Sequence, residues 1–202
     1  MPATDKIEEA EFFLMKMRES YNHQKEFIYY LNAFLPALRS VPEYLLEEYN
    51  TKYSLGILST DKLSAGVFES RAKQINHKDA LAFIQFWKDW METLTSDVAG
   101  SLLFIKRNLG VHRIQTRPTL VKVTLTEVLN IRTSIRIEKY DEEGKFIGTS
   151  ESKDEENKKT ENGSSRIDWF FKEYENELIV VLCEKALKKV KTFTDEVYNR
   201  FR

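Results

Sequence analysis

The sequence is poor in the residues on which several large function classes depend. A single cysteine, Cys183, in 202 residues excludes an intrachain disulfide and any cysteine-based zinc centre. Only seven Gly and four Pro are present, which disfavours a β-sandwich or a glycine-rich nucleotide fold. The three His are scattered without a local carboxylate pattern, so no metal site is expected. There is no glycine-rich phosphate loop, serine nucleophile elbow or HExxH helix, and no cofactor is implied. No apolar run approaches the roughly 20 residues needed to cross a bilayer. The opening MPATDKIEEAEFF is acidic and helical in pattern, unlike a signal peptide. The expectation is a soluble, cytoplasmic protein with no membrane role.

What is present suits one domain with a small appendage. Apolar residues make up 42% of the chain, enough to build a core. Residues 5–20 read as a first helix, with Thr4 or Asp5 as its cap and Lys16 and Arg18 at its negative end. A second helix is predicted from Lys25 to Tyr49, because Phe27, Leu31, Phe34, Leu38, Val41, Leu45 and Tyr49 recur at three- and four-residue steps. Pro36 and Pro42 fall inside it and predict a kink or break. A short helix around 61–75 is followed by a strongly periodic one from Lys78 to Leu94. A further helix is expected through Leu102 and Ile105 to about Arg107, ended by Gly110.

After Pro118 the period falls to two. Val121, Val123 and Leu125 alternate with Lys122 and Thr124, and Ile131, Ile135 and Ile137 alternate with Arg132, Arg136 and Glu138. Residues 119–148 therefore read as two or three antiparallel strands. Residues 149–163 hold no aliphatic or aromatic side chain and read as a flexible polar loop. From Ser165, with Ser165–Asp168 as a capping box, one helix is predicted to about Phe201. It would hold about 36 residues without Pro or Gly, roughly 54 Å at helical rise. That length invites packing against a second chain.

The total charge is near balance, with 31 basic and 32 acidic side chains, but its placement is uneven. Residues 101–140 carry eight basic groups (Lys106, Arg107, Arg113, Arg117, Lys122, Arg132, Arg136, Lys139) against two acidic ones, Glu127 and Glu138. Such a local positive field suits a phosphate-bearing partner; strands also carry Lys and Arg on a solvated face.

One segment holds chemistry: Lys106-Arg107-Asn108-Leu109-Gly110-Val111-His112-Arg113. Arg is a permanent cation whose planar fork matches phosphate oxygens. His takes or gives a proton near neutral pH. Together they can cleave RNA without a metal: a base removes the ribose 2′-hydroxyl proton, the oxygen attacks phosphorus, and a cation stabilises the developing charge. On an unbroken helix Arg107 and His112 would sit about 140° apart. They converge only if the helix stops between them, which Gly110 permits.

The stretch resembles the R-x(4–6)-H motif of HEPN domains, with Asn108 as the polar residue that usually follows the Arg. An aromatic-rich second helix (27–41) precedes it, as in that family. The resemblance implies an antiparallel helical bundle from residues 1–113 and 164–202, interrupted by a small β-hairpin insertion (114–148) and the polar loop (149–163). It also implies a metal-independent endoribonuclease, a toxin or defence effector, acting as a homodimer whose two motifs face one cleft. An antitoxin or regulatory protein would be a further partner. Arg107 would bind the scissile phosphate, His112 would be the general base or acid, and Asn108 would position one of them. Lys106, Arg113 and Arg117 would hold the RNA backbone. The alternative is a non-catalytic interaction or nucleic-acid-binding module. In it Arg107 pairs with a carboxylate and His112 caps the helix end.

Other residues read as structural. Arg39 could be a second phosphate ligand, but Glu43 lies one helical turn away and suits it as an ion-pair partner. His23 and His77 read as exposed turn residues. Cys183 reads as a small buried hydrophobe, and Trp87 and Trp90 as packing.

Overall fold

The computed structural model describes residues 2–58, 63–96, 100, 120–127, 132–140, 145–153, 165–171, 174 and 176–202. Helix dominates. The elements in chain order are α1 (Ala3–Glu19), α2 (Gln24–Lys52), α3 (Ala65–Gln74), α4 (Lys78–Ser96), β1 (Leu120–Glu127), β2 (Arg132–Tyr140), β3 (Phe146–Lys153), β4 (Ser165–Phe170) and α5 (Ile179–Arg200). No helix among the described residues is long and apolar enough to cross a membrane.

α2 is the central helix. Phe27, Leu31, Phe34, Leu35, Leu38, Val41, Leu45 and Tyr49 are all at most 3% exposed, following the periodicity that predicted them. Both prolines lie inside it, and it runs through them without a break. Side chains add hydrogen bonds around the proline turns: Asn32 Nδ2 donates to the Ile28 carbonyl at 2.7 Å and Ser40 Oγ to Ala37 at 2.7 Å. From α4, the Trp87 indole N–H donates to the Pro42 carbonyl at 3.0 Å. Packing on both sides of each proline holds the helix together despite the lost backbone donors.

α1 returns along α2 through a tight turn at Ser20–His23, where His23 N donates to the Ser20 carbonyl at 2.8 Å. α5 runs antiparallel to α1, since Arg18 meets Glu184 at 2.6 Å and Glu11 meets Lys191 at 2.5 Å. α3 is capped by Ser64, whose hydroxyl accepts from Val67 N at 3.4 Å. Glu69 ties α3 to α4 by accepting from both Lys73 (2.8 Å) and Lys88 (2.5 Å).

Aromatic rings join α2, α4 and the end of α5. Tyr49 stacks on Phe83 at 4.2 Å, Phe83 meets Phe201 edge-on at 5.6 Å, and Trp90 stacks on Phe193 at 3.8 Å. Trp87 and Trp90 are thus packing residues, as expected. One carboxylate closes the two ends of the chain onto α2. Glu48 accepts from the Ala3 backbone N–H and, at 2.8 Å, from the Tyr198 hydroxyl. Beside it the Tyr49 hydroxyl donates to the Val197 and Phe201 carbonyls. Burial first, and the Glu48 charge second, push the Tyr49 phenol up to about 12.

The strands form one antiparallel sheet in the order β3-β2-β1-β4. Two sequence expectations are corrected here. The segment from Ser165 is not the start of a long last helix: Ser165–Phe170 is β4, paired with β1, and α5 begins only at Ile179 and holds 22 residues. A turn separates the two, with Tyr174 N bonded to the Phe171 carbonyl and Glu177 N to Tyr174. The alternation of Ile167 with Trp169 suits a strand as well as a helix, and the ladder with β1 decides. The polar loop predicted for 149–163 is also partly wrong, because Thr149–Lys153 lie in β3. At the edge of a sheet, hydrogen bonds to β2 hold a polar strand that has no apolar face to bury. The hairpin insertion is therefore part of a four-stranded sheet that takes its last strand from beyond the loop.

β4 docks the sheet on the helices. Trp169, 2% exposed, stacks on Phe27 at 5.2 Å with ring planes 14° apart. Its indole N–H donates to the Tyr21 carbonyl at 2.7 Å. The Tyr21 hydroxyl in turn donates to Asp168 at 3.3 Å, and Phe171 is fully buried.

Replacing Glu48 with Ala leaves the buried Ala3 N–H and the Tyr198 hydroxyl without their acceptor. Urea unfolding should show a loss of about 1–3 kcal/mol, against less than about 0.5 kcal/mol for Glu43→Ala on the exposed side of α2. The hydrogen bonds from Lys73 and Lys88 hold the Glu69 carboxyl down to about 2, below its ordinary 4.5. A depressed carboxyl stabilises the fold above its ordinary value, and that contribution is lost as pH falls from about 4.5 toward 2. Melting curves across that window should fall more steeply for wild type than for Glu69→Gln, and 1 M salt should narrow the gap.

Candidate functional site

The motif residues predicted for catalysis and RNA binding, Lys106, Arg107, Asn108, His112, Arg113 and Arg117, lie outside the described residues, as does the expected helix end at Gly110. The described chain frames them on either side. α4 ends at Ser96, and β1 begins at Leu120. Leu120 is opposite Phe170 of β4 and Lys139 of β2.

The other polar residues weighed from sequence find structural partners. Arg39 reaches Glu43 at 2.9 Å, one helical turn on, with its side chain 16% exposed. The ion-pair reading is the one the geometry satisfies. His77 is not simply an exposed turn residue. Its Nδ1 accepts the Ala80 N–H at 3.2 Å, capping the first turn of α4, and its ring lies 4.9 Å from Tyr53. His23 is exposed at the start of α2, as expected. Cys183 is fully buried, and burial followed by the Glu184 charge pushes its thiol well above the ordinary range. It is no nucleophile. No group of three or more His, Cys, Asp or Glu among the described residues could hold a metal.

Two open grooves occur among the described residues. One, of about 560 Å³, lies between α1 and α5. The Arg18–Glu184 and Glu11–Lys191 pairs bridge it, Leu14 and Leu187 line it, and Lys188 and Asp195 complete it. Its three cations are matched by three carboxylates, so it offers a phosphate chain no net attraction. The other, of about 460 Å³, lies between Gly56–Ile57 and α3. Arg71 is tethered there to the Leu55 carbonyl (2.8 Å) and to Gln74 (2.5 Å). Among the described residues no His, Asp or Glu lines this groove.

The sheet revises the charge reading. Of the four basic residues that β1 and β2 contribute to the positive stretch, three stand opposite an acid in the ladder. Lys122 is opposite Asp168, Arg132 opposite Glu127, and Arg136 opposite Glu151. Directly opposed unlike charges are favourable cross-strand neighbours. Lys139 alone of the four has no acid opposite it, standing between Leu120 and Gly148. The strands therefore do not form a uniform basic strip.

The register makes a direct prediction. Arg136→Glu places like charges opposite each other at Glu151 and should cost up to about 1 kcal/mol in thermal or urea unfolding. The double variant Arg136→Glu with Glu151→Arg should recover most of that loss.

No family model, no curated protein and no solved structure matches this chain, and its function is argued from its own residues.

Proposed function

We propose that the protein is a HEPN-like, metal-independent endoribonuclease. Arg107 would stabilise the scissile phosphate, His112 would move the 2′-hydroxyl proton, and Asn108 would orient one of them. The observation that carries this reading is the sequence Arg107-Asn108-Leu109-Gly110-Val111-His112, which pairs a fixed cation with a titratable base across a glycine that would let a helix end between them. Two features support it. The chain ahead of the motif is helical, with an antiparallel α1–α2 pair, as the resemblance implies. Four of the eight basic residues of the central stretch, Lys106, Arg107, Arg113 and Arg117, belong to the motif and its flank in sequence.

The substrate class is RNA, because the mechanism needs the 2′-hydroxyl as nucleophile. The atoms balance within the strand. The 2′-oxygen bonds to phosphorus as the 5′-oxygen leaves; the base takes the 2′ proton and an acid returns one to the leaving oxygen. A homodimer with two motifs on one cleft, a cytoplasmic toxin or defence role, and restraint by an antitoxin belong to this proposal through the resemblance. The length argument for a dimer lapses, because α5 spans 22 residues and its apolar positions, from Ile179 to Val197, are buried within the chain.

Purified protein should cut RNA in the presence of EDTA and leave a 2′,3′-cyclic phosphate. Arg107→Ala and His112→Ala should each lower the rate by about 10²-fold or more with circular dichroism unchanged. Equal inertness of wild type and both variants, with RNA still bound, would instead favour the non-catalytic binding module.

A further inference from the structure

We infer that the groove between Gly56–Ile57 and α3 is a binding site for a small aliphatic carboxylate, with Arg71 as its anchor. A carboxylate held there plays no part in the nuclease reading above. On α3, Val67, Ser70, Arg71 and Gln74 are spaced i, i+3, i+4 and i+7, so they share one helix face, and that face lines the groove. Among the described residues Arg71 is the only charged side chain that lines it. Arg18 and Arg39 each meet a carboxylate, Glu184 and Glu43. Arg71 meets two neutral oxygens instead: Nε donates to the Leu55 carbonyl at 2.8 Å and Nη1 to Gln74 Oε1 at 2.5 Å. These bonds fix the guanidinium without neutralising it, and they leave Nη2 to a ligand. The Gln74 amide, with its oxygen turned to Arg71, keeps its NH2 as a further donor, and the Ser70 hydroxyl is exposed on the same face.

The facing wall is held in place and kept open. Asn50 clamps Ile57 through both backbone groups: Nδ2 donates to its carbonyl at 2.9 Å, and Oδ1 accepts its N–H at 3.2 Å. Gly56 has a φ of 68°, a left-handed conformation that disfavours any side chain, and a Cβ there would lie 3.9 Å from Arg71 Nη2. Across the groove, a Cβ at Gly66 would meet nothing within 4 Å. The volume of about 460 Å³ falls in the range of small-molecule sites, about 300–1,000 Å³. Ile57 is half-buried and Val67 exposed, and both offer branched aliphatic surface. An oriented cation with hydrogen-bond donors around it, no acid competing for it and aliphatic walls beside it matches a carboxylate that carries a short aliphatic tail. The groove between α1 and α5, whose charges are matched internally, has no such excess.

The test is a titration read by NMR at the Arg71 Nε–H and the Val67 and Ser70 amides. The probes are isovalerate, its uncharged amide isovaleramide, and inorganic phosphate, at equal ionic strength. Isovalerate should move these signals saturably, with a Kd in the millimolar range, as suits so small a ligand in an open groove. Isovaleramide should leave them in place, and phosphate should bind about ten-fold more weakly or worse. Arg71→Gln should weaken isovalerate by about ten-fold or more. Because Arg71 also holds Leu55, Gly66→Leu is the second variant. It keeps Arg71, puts a side chain where there is room for one and replaces a helical glycine, so it should block binding without lowering the melting temperature. No saturable shift with isovalerate, an equal response to isovaleramide, or unaltered binding in either variant that folds overturns the inference. Phosphate binding as tightly as isovalerate overturns it too, by showing that charge alone is read.

Discussion

The fold depends on the burial of α2. Twelve of its residues are buried, and every other helix is arranged to cover it or its neighbours. Two prolines inside a helix cost about 3 kcal/mol each, whereas a fully buried Leu or Phe contributes about 1.5–3 kcal/mol. With Phe34, Leu35, Ala37, Leu38, Val41 and Leu45 surrounding Pro36 and Pro42, packing outweighs the missing donors. The same helix supplies Glu48 and Tyr49, which gather the first residues of α1 and the last turn of α5. Core formation and closure of the chain ends therefore share one element.

The sheet belongs to a different physical regime. It is held together by its own ladder and joined to the helices through an aromatic contact and the Tyr21 hydrogen bonds. Three of its four cations from the basic stretch stand opposite an acid in the ladder, and the other four basic residues of that stretch precede β1 in sequence.

Much of the helical architecture was legible in the sequence, because three- and four-residue apolar spacing is a direct image of a buried helix face. Leu31, Leu38 and Leu45 in α2, and Ile84 and Leu94 in α4, are buried as such spacing requires. β1 and β2 were legible from strict alternation. The failures have one cause, which is that pairing partners are not local. Nothing near Ser165 announces a ladder with β1, and Ile167, Trp169 and Phe171 fit a helical reading until Val121 and Val123 stand beside them. β3 could not be found from apolar content, because its polar residues are held through backbone bonds. At the candidate site, the motif was readable as chemistry, and the Arg39–Glu43 pair as geometry. The capping use of His77 Nδ1 was not readable, because it depends on a three-residue turn closing on Ala80.

Cys183 sits wholly inside α5, against the core that α2 organises. As the sole thiol of the chain, it is shielded from alkylating reagents and peroxide while α5 remains docked. Its rate of labelling therefore serves as a built-in clock for the opening of the helical body, one that motions of the sheet leave unwound.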